Sequence, residues 1–317
     1  ESEMISKTQR RLLNLIKNQK LISSSGLSRY AKMHRSSVSP HINTLLFKNY
    51  IREAGIGKST QKGGKPPVLL ELNPSKGMII GLHLTYNEIK SSLVNFKNEI
   101  IEHSRYEPAS NLTERNILHE IQFAVDRILA NHKLNKKDIL GVGIGLPGVV
   151  NSQEGIIYKS TSFELRDYPF KKKLKETLDL PVVVMNDVNT ALLGEKWYAL
   201  DVSGKKYKNL LFMSLTKEFF GWGFVIVIDG KLYEGHNYIA GEIYKLFPSL
   251  EMLLNEIPYE ETQFVKKFDV DTIKKYHGID NKVIQHLTKR VLEITSLELV
   301  DVIDLLDPDL VIIGGGI

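Results

Sequence analysis

Residues 23–50 hold the clearest recognition chemistry in the sequence, because short polar and basic side chains lie there between apolar residues at helical spacing. The apolar positions are Leu27, Tyr30, Ala31, Val38, Ile42, Leu45 and Leu46. A polar break at residues 34–37 divides them into two stripes, which predicts two helices joined by a turn. The side chains expected to point outward are Arg35, Ser36, Ser37, Ser39, His41, Asn43 and Thr44. Groups of this size reach base edges and phosphates in the major groove. The segment therefore predicts a helix-turn-helix, with an ordinary helical hairpin as the alternative.

Pro40 leaves the geometry of the second helix open. Because proline has no backbone N–H, it either lies in the first turn, with Ser39 as the N-cap, or kinks the helix. The two arrangements point different side chains toward the bases, and the pattern alone does not choose between them.

A basic loop between two strand-like segments follows this helix pair. Residues 50–54 and 68–72 are apolar enough to be strands, and the loop between them carries Lys58, Lys62 and Lys65 without an acidic residue. Gly63 and Gly64 allow the backbone to approach a narrow groove, and the prolines after Lys65 fix φ. We expect the wing of a winged helix. A flexible basic linker is the alternative, but it does not explain the strand pattern on both sides.

Charge is divided unevenly along the chain. Residues 1–72 hold 13 Lys and Arg against 4 Asp and Glu, a net charge of +9, whereas residues 73–317 hold 29 against 33, a net charge of −4. Positive charge concentrated in one segment is the electrostatic footprint of phosphate-backbone binding. The acidic remainder argues against a protein that binds polyanions everywhere. Double-stranded DNA is therefore the expected macromolecular partner.

Composition excludes several other classes of protein. With a mass of 36.0 kDa and 42% hydrophobic residues, the chain can bury more than one core, which predicts two or three domains. No apolar run reaches transmembrane length, and the first residues lack the apolar region of a signal peptide, so no membrane partner is expected. The absence of cysteine excludes disulfides and thiolate metal sites and is compatible with a cytoplasmic protein.

Beyond residue 77 the pattern alternates between strands and helices. Strands are predicted at residues 78–84, 90–96, 99–106, 139–145, 181–185, 209–215, 223–228 and 310–313. Helices are predicted at residues 112–132, 170–178, 189–200 and 283–306. The strand at 310–313 is expected to be buried. Because similar groups of elements recur, the pattern predicts a duplicated α/β unit with a cleft between its halves.

Four segments of this body resemble the ROK family of repressors, open reading frames and sugar kinases. They are GVGIGLPGVV at 141–150, LPVVVMNDVNTALLGE at 180–195, VIDGKLYEGHNYIAGE at 227–242 and LDPDLVIIGGG at 306–316. The head with GGKPPVLLELNP resembles the family's repressor branch. The resemblance implies an α/β fold with an N-terminal winged helix-turn-helix over residues 4–72. It also implies a two-lobed, actin-like and ribonuclease-H-like ROK body, with lobes at 73–190 and 191–317, assembled as a homodimer or homotetramer. The family continues past the triple glycine with another helix and strand, so its C-terminal end is expected to be missing here.

The resemblance implies a sugar site made by Asn186, Asp187 and Glu242, with Glu251 as a further carboxylate. In family kinases the Asp of the Asn-Asp pair takes a proton from a sugar hydroxyl, and a carboxylate there can equally accept hydrogen bonds from sugar hydroxyls. Lys245 stands where the family has a His that bridges sugar and zinc. The family's zinc-loop cysteines are absent as well, so no zinc is expected. Lys245 favours an anionic sugar derivative, unless it pairs with Glu242 and seals an empty cleft.

The nucleotide side departs from the family pattern. A family kinase has Asp-x-Gly-Gly-Thr, whose backbone N–H groups close around phosphate, where this chain has HLTYN at residues 83–87. The second phosphate loop, usually Gly-Thr-Gly-x-Gly-x-Gly, reads SLTKEFFGWG at residues 214–223. Bulky Phe219 and Phe220 and the anionic Glu218 oppose a polyphosphate there. The loss of both loops argues against catalysis.

Together these features predict a DNA-binding transcriptional regulator, a repressor of sugar-related genes. Its body is expected to bind a sugar and to oligomerise without being an enzyme and without a cofactor. Two alternatives stay open. One is a sugar kinase that carries a DNA-binding head, and the other is a regulator that has lost sugar binding and responds to a protein partner.

Overall fold

A computed structural model describes residues 5–57, 66–196, 207–215, 222–242, 250–256, 275 and 282–315. The chain divides into two compact units, Glu1–Met185 and Asn186–Ile317. In this described part of the chain, no helix combines the length and the apolar character that a membrane span requires.

The N-terminal part of the first unit contains three helices and a small antiparallel sheet. Its elements are α1 (Lys7–Gln19), β1 (Ile22–Ser23), α2 (Ser24–Ala31), α3 (Arg35–Phe47), β2 (Ile51–Ile56) and β3 (Val68–Leu72). Strand β3 lies between β1 and β2 and is antiparallel to both. Leu27, Val38 and Leu45 are buried in a core with the apolar face of α1, as the helical spacing predicted. Tyr30 was expected in this core but is 52% exposed.

Helix α3 begins three residues earlier than the hydropathy pattern suggested. The Nδ1 atom of His34 accepts the backbone N–H of Ser36, so His34 is the N-cap. Pro40 therefore lies inside the helix, and the arrangement with Ser39 as N-cap is wrong, because the Ser39 hydroxyl instead donates to the carbonyl oxygen of Arg35 at 3.0 Å. The polar residues 35–37 resembled a loop because hydropathy does not distinguish a capped first turn from a turn.

The rest of the first unit is built on a five-stranded sheet. Its strands are β4 (Met78–Leu84), β5 (Ile89–Asn95), β6 (Ile100–Tyr106), β7 (Ile139–Leu146) and β11 (Val182–Asn186), in the order β11-β7-β4-β5-β6. Strands β4, β5 and β6 form an antiparallel meander, and β7 is parallel to β4. Helices α4 (Ile117–Asn131) and α5 (Phe170–Leu178) share one hydrophobic core with the sheet.

Two features of this unit differ from the predicted elements. Helix α4 starts five residues later than predicted, because the side chain of Asn116 accepts the backbone N–H of Thr113 at 2.8 Å and holds the preceding residues in a turn. A second antiparallel sheet joins β8 (Val149–Asn151), β9 (Ile156–Ser160) and β10 (Leu165–Tyr168). Strands this short show too few alternations to be recognised in the sequence.

The second unit repeats the topology of the first. Its elements are α6 (Asp187–Glu195), β12 (Leu210–Leu215), β13 (Trp222–Ile228), β14 (Lys231–Tyr233), α7 (Leu250–Asn255), α8 (Lys282–Leu306) and β15 (Leu310–Gly315). Strand β12 is antiparallel to β13 and parallel to β15, just as β4 is antiparallel to β5 and parallel to β7. The duplicated α/β pattern is therefore present. The predicted burial of the last strand is wrong, because Ile313 is 55% exposed and β15 lies at the edge of the sheet that the described strands form.

Candidate functional sites

Helix α3 turns its polar side away from the core. Arg35, Ser36 and Ser37 are exposed, and Ser39 and His41 are partly buried. The buried face of the same helix consists of Val38, Ile42 and Leu45. Five of the side chains predicted to contact DNA therefore lie on one accessible helix whose opposite face anchors it in the core.

Phe47 extends this surface and was missed in the sequence. It lies at the last position of α3 and is 87% exposed. Positions 36, 40, 43 and 47 follow one another at spacings of three and four residues, so Phe47 shares a helix face with Ser36 and the exposed Asn43. After Leu45 and Leu46 it resembles one more core residue, and only the continued spacing from Ser36 identifies it as a surface residue. An exposed aromatic ring suits contact with a thymine methyl group.

The described part of the predicted wing is its base. Strands β2 and β3 pair in antiparallel register, with Ile56 opposite Val68. The backbone N–H of Gly57 donates to the carbonyl oxygen of Pro67 at 2.8 Å, so the two strands stay paired up to the loop. The predicted tip residues Lys58, Lys62, Gly63, Gly64 and Lys65 lie outside the described residues.

A second candidate site is assembled by two adjacent residues of β13. A Cβ atom on Gly223 would lie 2.6 Å from Val188 Cγ2, so this glycine allows the start of α6 to pack against the strand. The next residue, Phe224, donates its backbone N–H to the carbonyl oxygen of Gly241 at 3.2 Å. Gly241 has φ +89°, and a Cβ there would lie 1.9 Å from the Phe224 carbonyl oxygen, so only glycine fits. Strand β13 therefore contacts both the first turn of α6 and the segment that carries Glu242.

Asn186 and Asp187 form the start of α6, two residues before the predicted helix start. Asn186 is the N-cap, and its Oδ1 accepts the backbone N–H groups of Val188 at 2.8 Å and Asn189 at 3.1 Å. Asp187 is the first helical residue, where the positive end of the helix dipole favours a negative charge. Asp187 Oδ1 also accepts the backbone N–H of Val188, at 3.0 Å. Both side chains therefore take part in capping the first turn, and Asp187 adds a carboxylate at this position.

Glu242 and Asp187 form an acidic pair. Burial raises the pKa of Glu242, and the negative charge of Asp187 raises it further. Carboxylate oxygens can accept hydrogen bonds from the hydroxyl groups of a polyol, and such bonds would offset part of the repulsion between the two residues.

The sequence also predicted Lys245 and Glu251 as ligand residues. Lys245 lies outside the described residues, and Glu251 lies in α7 with its side chain outside them. Among the residues that are described, no group of three or more His, Cys, Asp or Glu side chains is arranged to hold a metal ion.

Residues 83–87, which the sequence comparison set against the first phosphate loop of the kinases, contain a hydrogen-bonded turn at Thr85. The backbone N–H of Thr85 donates to the carbonyl oxygen of Glu88 at 2.9 Å, and its hydroxyl lies 3.3 Å from Asn87 Oδ1. The Tyr86 carbonyl oxygen accepts the backbone N–H of Leu112 at 2.6 Å. The Thr85 donors are therefore engaged inside the turn and are not presented to a ligand. Residues 216–221 of the second loop lie outside the described residues.

Comparison with known proteins identifies a family model and several relatives that match this chain. Residues 79–245 match the model of the ROK family. A xylose repressor of Caldicellulosiruptor bescii is 30% identical over 236 residues, which cover 73% of this chain and 56% of that protein. A glucokinase of Halalkalibacterium halodurans is 35% identical over 166 residues, which cover 52% of this chain and 48% of that protein. The chain thus spans about half the length of these curated relatives.

A solved structure covers almost the whole chain. It is described as a ROK family transcriptional regulator, a homologue of the E. coli MLC protein, and it superposes with a TM-score of 0.76 over 97% of this chain and 82% of its own at 18% identity. Likeness at this identity establishes the fold alone. Because the family model matches more than half of the chain, and the four motifs lie in the same order, the chain belongs to the ROK family.

Proposed function

We propose that this chain is a DNA-binding transcriptional regulator, with residues 4–72 forming a winged helix-turn-helix. The observation that carries the proposal is the polar, accessible face of α3 in a head with a net charge of +9. Helix α3 enters the major groove, and the paired strands β2 and β3 direct the basic loop between them toward the phosphate backbone. The head binds a two-fold symmetric operator as part of a homodimer or homotetramer.

The ROK body, with lobes at residues 73–190 and 191–317, binds a sugar and does not phosphorylate it. Asp187 and Glu242 accept hydrogen bonds from sugar hydroxyls, Asn186 positions Asp187, and Lys245 and Glu251 complete the site. The Thr85 N–H, which is bonded to the Glu88 carbonyl, supports the absence of catalysis, because a phosphate loop needs backbone N–H groups that face the ligand. The name of the xylose repressor relative makes D-xylose the first sugar to test.

DNA binding is tested by selecting duplexes from a random library and measuring affinity against salt. We expect a symmetric consensus and a steep decrease of affinity with salt. Arg35→Ala should reduce the slope of log K against log salt by about 1 if Arg35 contacts a phosphate. Arg115→Ala, which removes an equally exposed arginine from the body, is the matched control. A flat salt dependence, or equal losses in both variants, would refute the proposed interface.

Sugar binding is tested by calorimetry with D-xylose, D-glucose and their phosphates. A hydrogen bond to a charged group contributes about 1.5–3 kcal/mol, so Asp187→Asn should weaken binding by about one to two orders of magnitude. Asp126→Asn, at an exposed position on α4, should leave it unchanged. A site that binds the phosphates but not the neutral sugars would assign Lys245 to an anionic ligand. Heat from none of the sugars would favour the regulator that responds to a protein partner.

A sugar kinase with a DNA-binding head is the second candidate function. The glucokinase relative and the retained Asp187 favour it, since that residue has the position of the family's base. ATP turnover in the presence of each sugar separates the two candidates. Turnover that Asp187→Asn abolishes would establish the kinase, whereas turnover at background with intact sugar binding supports the regulator.

A further inference from the structure

The turn between β5 and β6 reaches from the first lobe to the head. Phe96, the residue after β5, packs against the head core, and its ring centroid lies 5.7 Å from that of Tyr50. Tyr50 directly precedes β2 and follows the C-terminal end of α3 by three residues. An aromatic residue of the body therefore contributes to the core of the segment that carries the DNA-contacting helix.

Next to this ring contact lies an ion-pair cluster centred on Glu71. Its side chain is 8% exposed, and its Oε1 lies 2.8 Å from Arg52 Nε and 2.7 Å from Arg52 Nη2. Its Oε2 lies 2.8 Å from the Nζ atom of Lys97, the residue after Phe96 in the β5–β6 turn. The hydrogen bond from Lys97 is the main reason why the pKa of Glu71 is lowered, and the same bond raises the pKa of Lys97. The body thus supplies the second of the two cations that pair with the buried Glu71 of the head.

The covalent connection between head and body is also fixed. Asn73 donates its side-chain amide to the carbonyl oxygen of Asn49 at 3.1 Å. Lys76 donates to the carbonyl oxygen of Lys48 at 3.0 Å, and its Nζ lies 4.3 Å from the centroid of the Tyr50 ring. Lys48 is the C-cap of α3, where the negative end of the helix dipole attracts a cation. The connection is therefore hydrogen-bonded to the C-terminal end of α3, the helix proposed to enter the major groove.

We propose that the β5–β6 turn is a clamp that fixes the head on the first lobe, with Phe96 and Lys97 as its positioning residues. An apolar contact, a charge-assisted hydrogen bond and a hydrogen-bonded connection all act at the α3–β2 junction. A head joined only by a flexible tether needs none of them. The clamp makes the head and the first lobe one rigid element. The consequence of the clamp for DNA binding rests on the proposed function. When the first lobe moves, α3 moves with it as part of the same rigid element.

The clamp is tested without DNA, by distance measurements between two spin labels. The chain contains no cysteine, so Gln19→Cys at the end of α1 and Asp126→Cys on α4 give two unique, exposed attachment sites. With the clamp intact, we expect a single narrow distribution of distances between the two spin labels. Combining Phe96→Ala with Lys97→Ala should spread the distances over about 15 Å, the reach of the five-residue connection at residues 73–77. Lys90→Ala, which removes a lysine from β5 that pairs with Glu88, is the matched control and should keep the narrow distance.

Folding and function are separated by two further measurements. Lys97→Met keeps the apolar stem and removes the ammonium, so it gives an intermediate broadening even if the double variant unfolds. On a symmetric site, loss of the clamp should lower affinity by about 10-fold or more, because the second head no longer sits at the spacing of its half-site. A broad distribution in the unchanged protein, or a narrow one in both Lys97→Met and the double variant, would overturn the clamp. Broadening without DNA binding by any form would support the clamp and count against the proposed function alone.

Discussion

Two partly or largely buried glutamates of this chain lie in opposite electrostatic surroundings. Glu71 in the head is enclosed by Arg52 and Lys97, and its pKa is lowered by the Lys97 hydrogen bond. Glu242 in the second unit has a raised pKa, because burial disfavours its charge and Asp187 repels it. Glu71 is paired with two cations of the protein, whereas the electrostatic neighbour of Glu242 is a second carboxylate. A carboxylate paired with cations stabilises the folded state, whereas the raised pKa of Glu242 is one of the observations behind the sugar site proposed above.

The largest expected effect comes from the glycine that places Glu242. Gly241→Ala forces a Cβ to within 1.9 Å of the Phe224 carbonyl oxygen at a φ of +89°, so the loop must leave β13. We expect a loss of about 3 kcal/mol in the free energy of unfolding, from overpacking and left-handed strain together, and a loss of sugar binding. Gly230→Ala is the matched control, since φ is +76° there but open space surrounds the site, and it should cost about 1 kcal/mol. Equal losses of unfolding free energy in the two variants, measured by urea denaturation, would show that backbone strain alone accounts for the effect and that the contact with Phe224 does not contribute.

The two glutamates should respond in opposite directions to neutralisation. Glu71→Gln removes the charge that pairs with Arg52 and Lys97, and the loss should be about 1–3 kcal/mol at neutral pH, less than for a fully buried pair because both cations are partly exposed. Glu242→Gln removes the repulsion with Asp187 and should leave stability unchanged or increased. Both are measured by urea denaturation. Destabilisation by Glu242→Gln that matches Glu71→Gln would mean that Glu242 is a structural residue.

The pH dependence of stability should separate the same two residues. Because the pKa of Glu71 is lowered on folding, its contribution is present above the ordinary glutamate pKa and is lost as pH falls through the lowered value. Because the pKa of Glu242 is raised, stability decreases as pH rises from the ordinary value through the raised one. Comparing each Gln variant with the unchanged protein over pH 3–8, about the range in which carboxylates titrate, isolates each contribution.

Asp187→Asn tests the cause assigned to the Glu242 shift. It should bring the pKa of Glu242 closer to its ordinary value, as followed by carboxyl NMR, and leave that of Glu71 unchanged. An unchanged pKa of Glu242 in this variant would assign the whole shift to burial and would show that Asp187 and Glu242 do not interact.

The sequence predicted local periodicity better than it predicted where helices begin. The spacing of Val38, Ile42 and Leu45 identified the buried face of α3, but the start of the helix was misplaced because a His34 cap and exposed serines have the hydropathy of a loop. The order of the ROK motifs predicted Asp187 and Glu242 as site residues. It did not predict that the amide oxygen of Asn186 accepts the two backbone N–H groups that cap α6. The contact between Lys97 and Glu71 joins residues 26 positions apart, so no local pattern contains it.

Substitution of Phe47 is expected to change stability only slightly. It compares two aromatic residues of the head, the exposed Phe47 and the packed Tyr50. Its ring is 87% exposed, whereas Tyr50, three residues later, contacts Phe96 and Lys76. Phe47→Ala should therefore change the free energy of unfolding by less than about 0.5 kcal/mol, since it removes few buried contacts. If the ring contacts a thymine methyl, the variant should lose about 1 kcal/mol of discrimination at one base pair of the selected consensus, the value of burying one methyl-sized group. Binding curves on duplexes with thymine or uracil at that position measure the methyl contact directly, because uracil lacks only the methyl group. A preference for thymine that persists in Phe47→Ala would exclude the Phe47 ring as the group that contacts the methyl and would assign that contact to another side chain of α3.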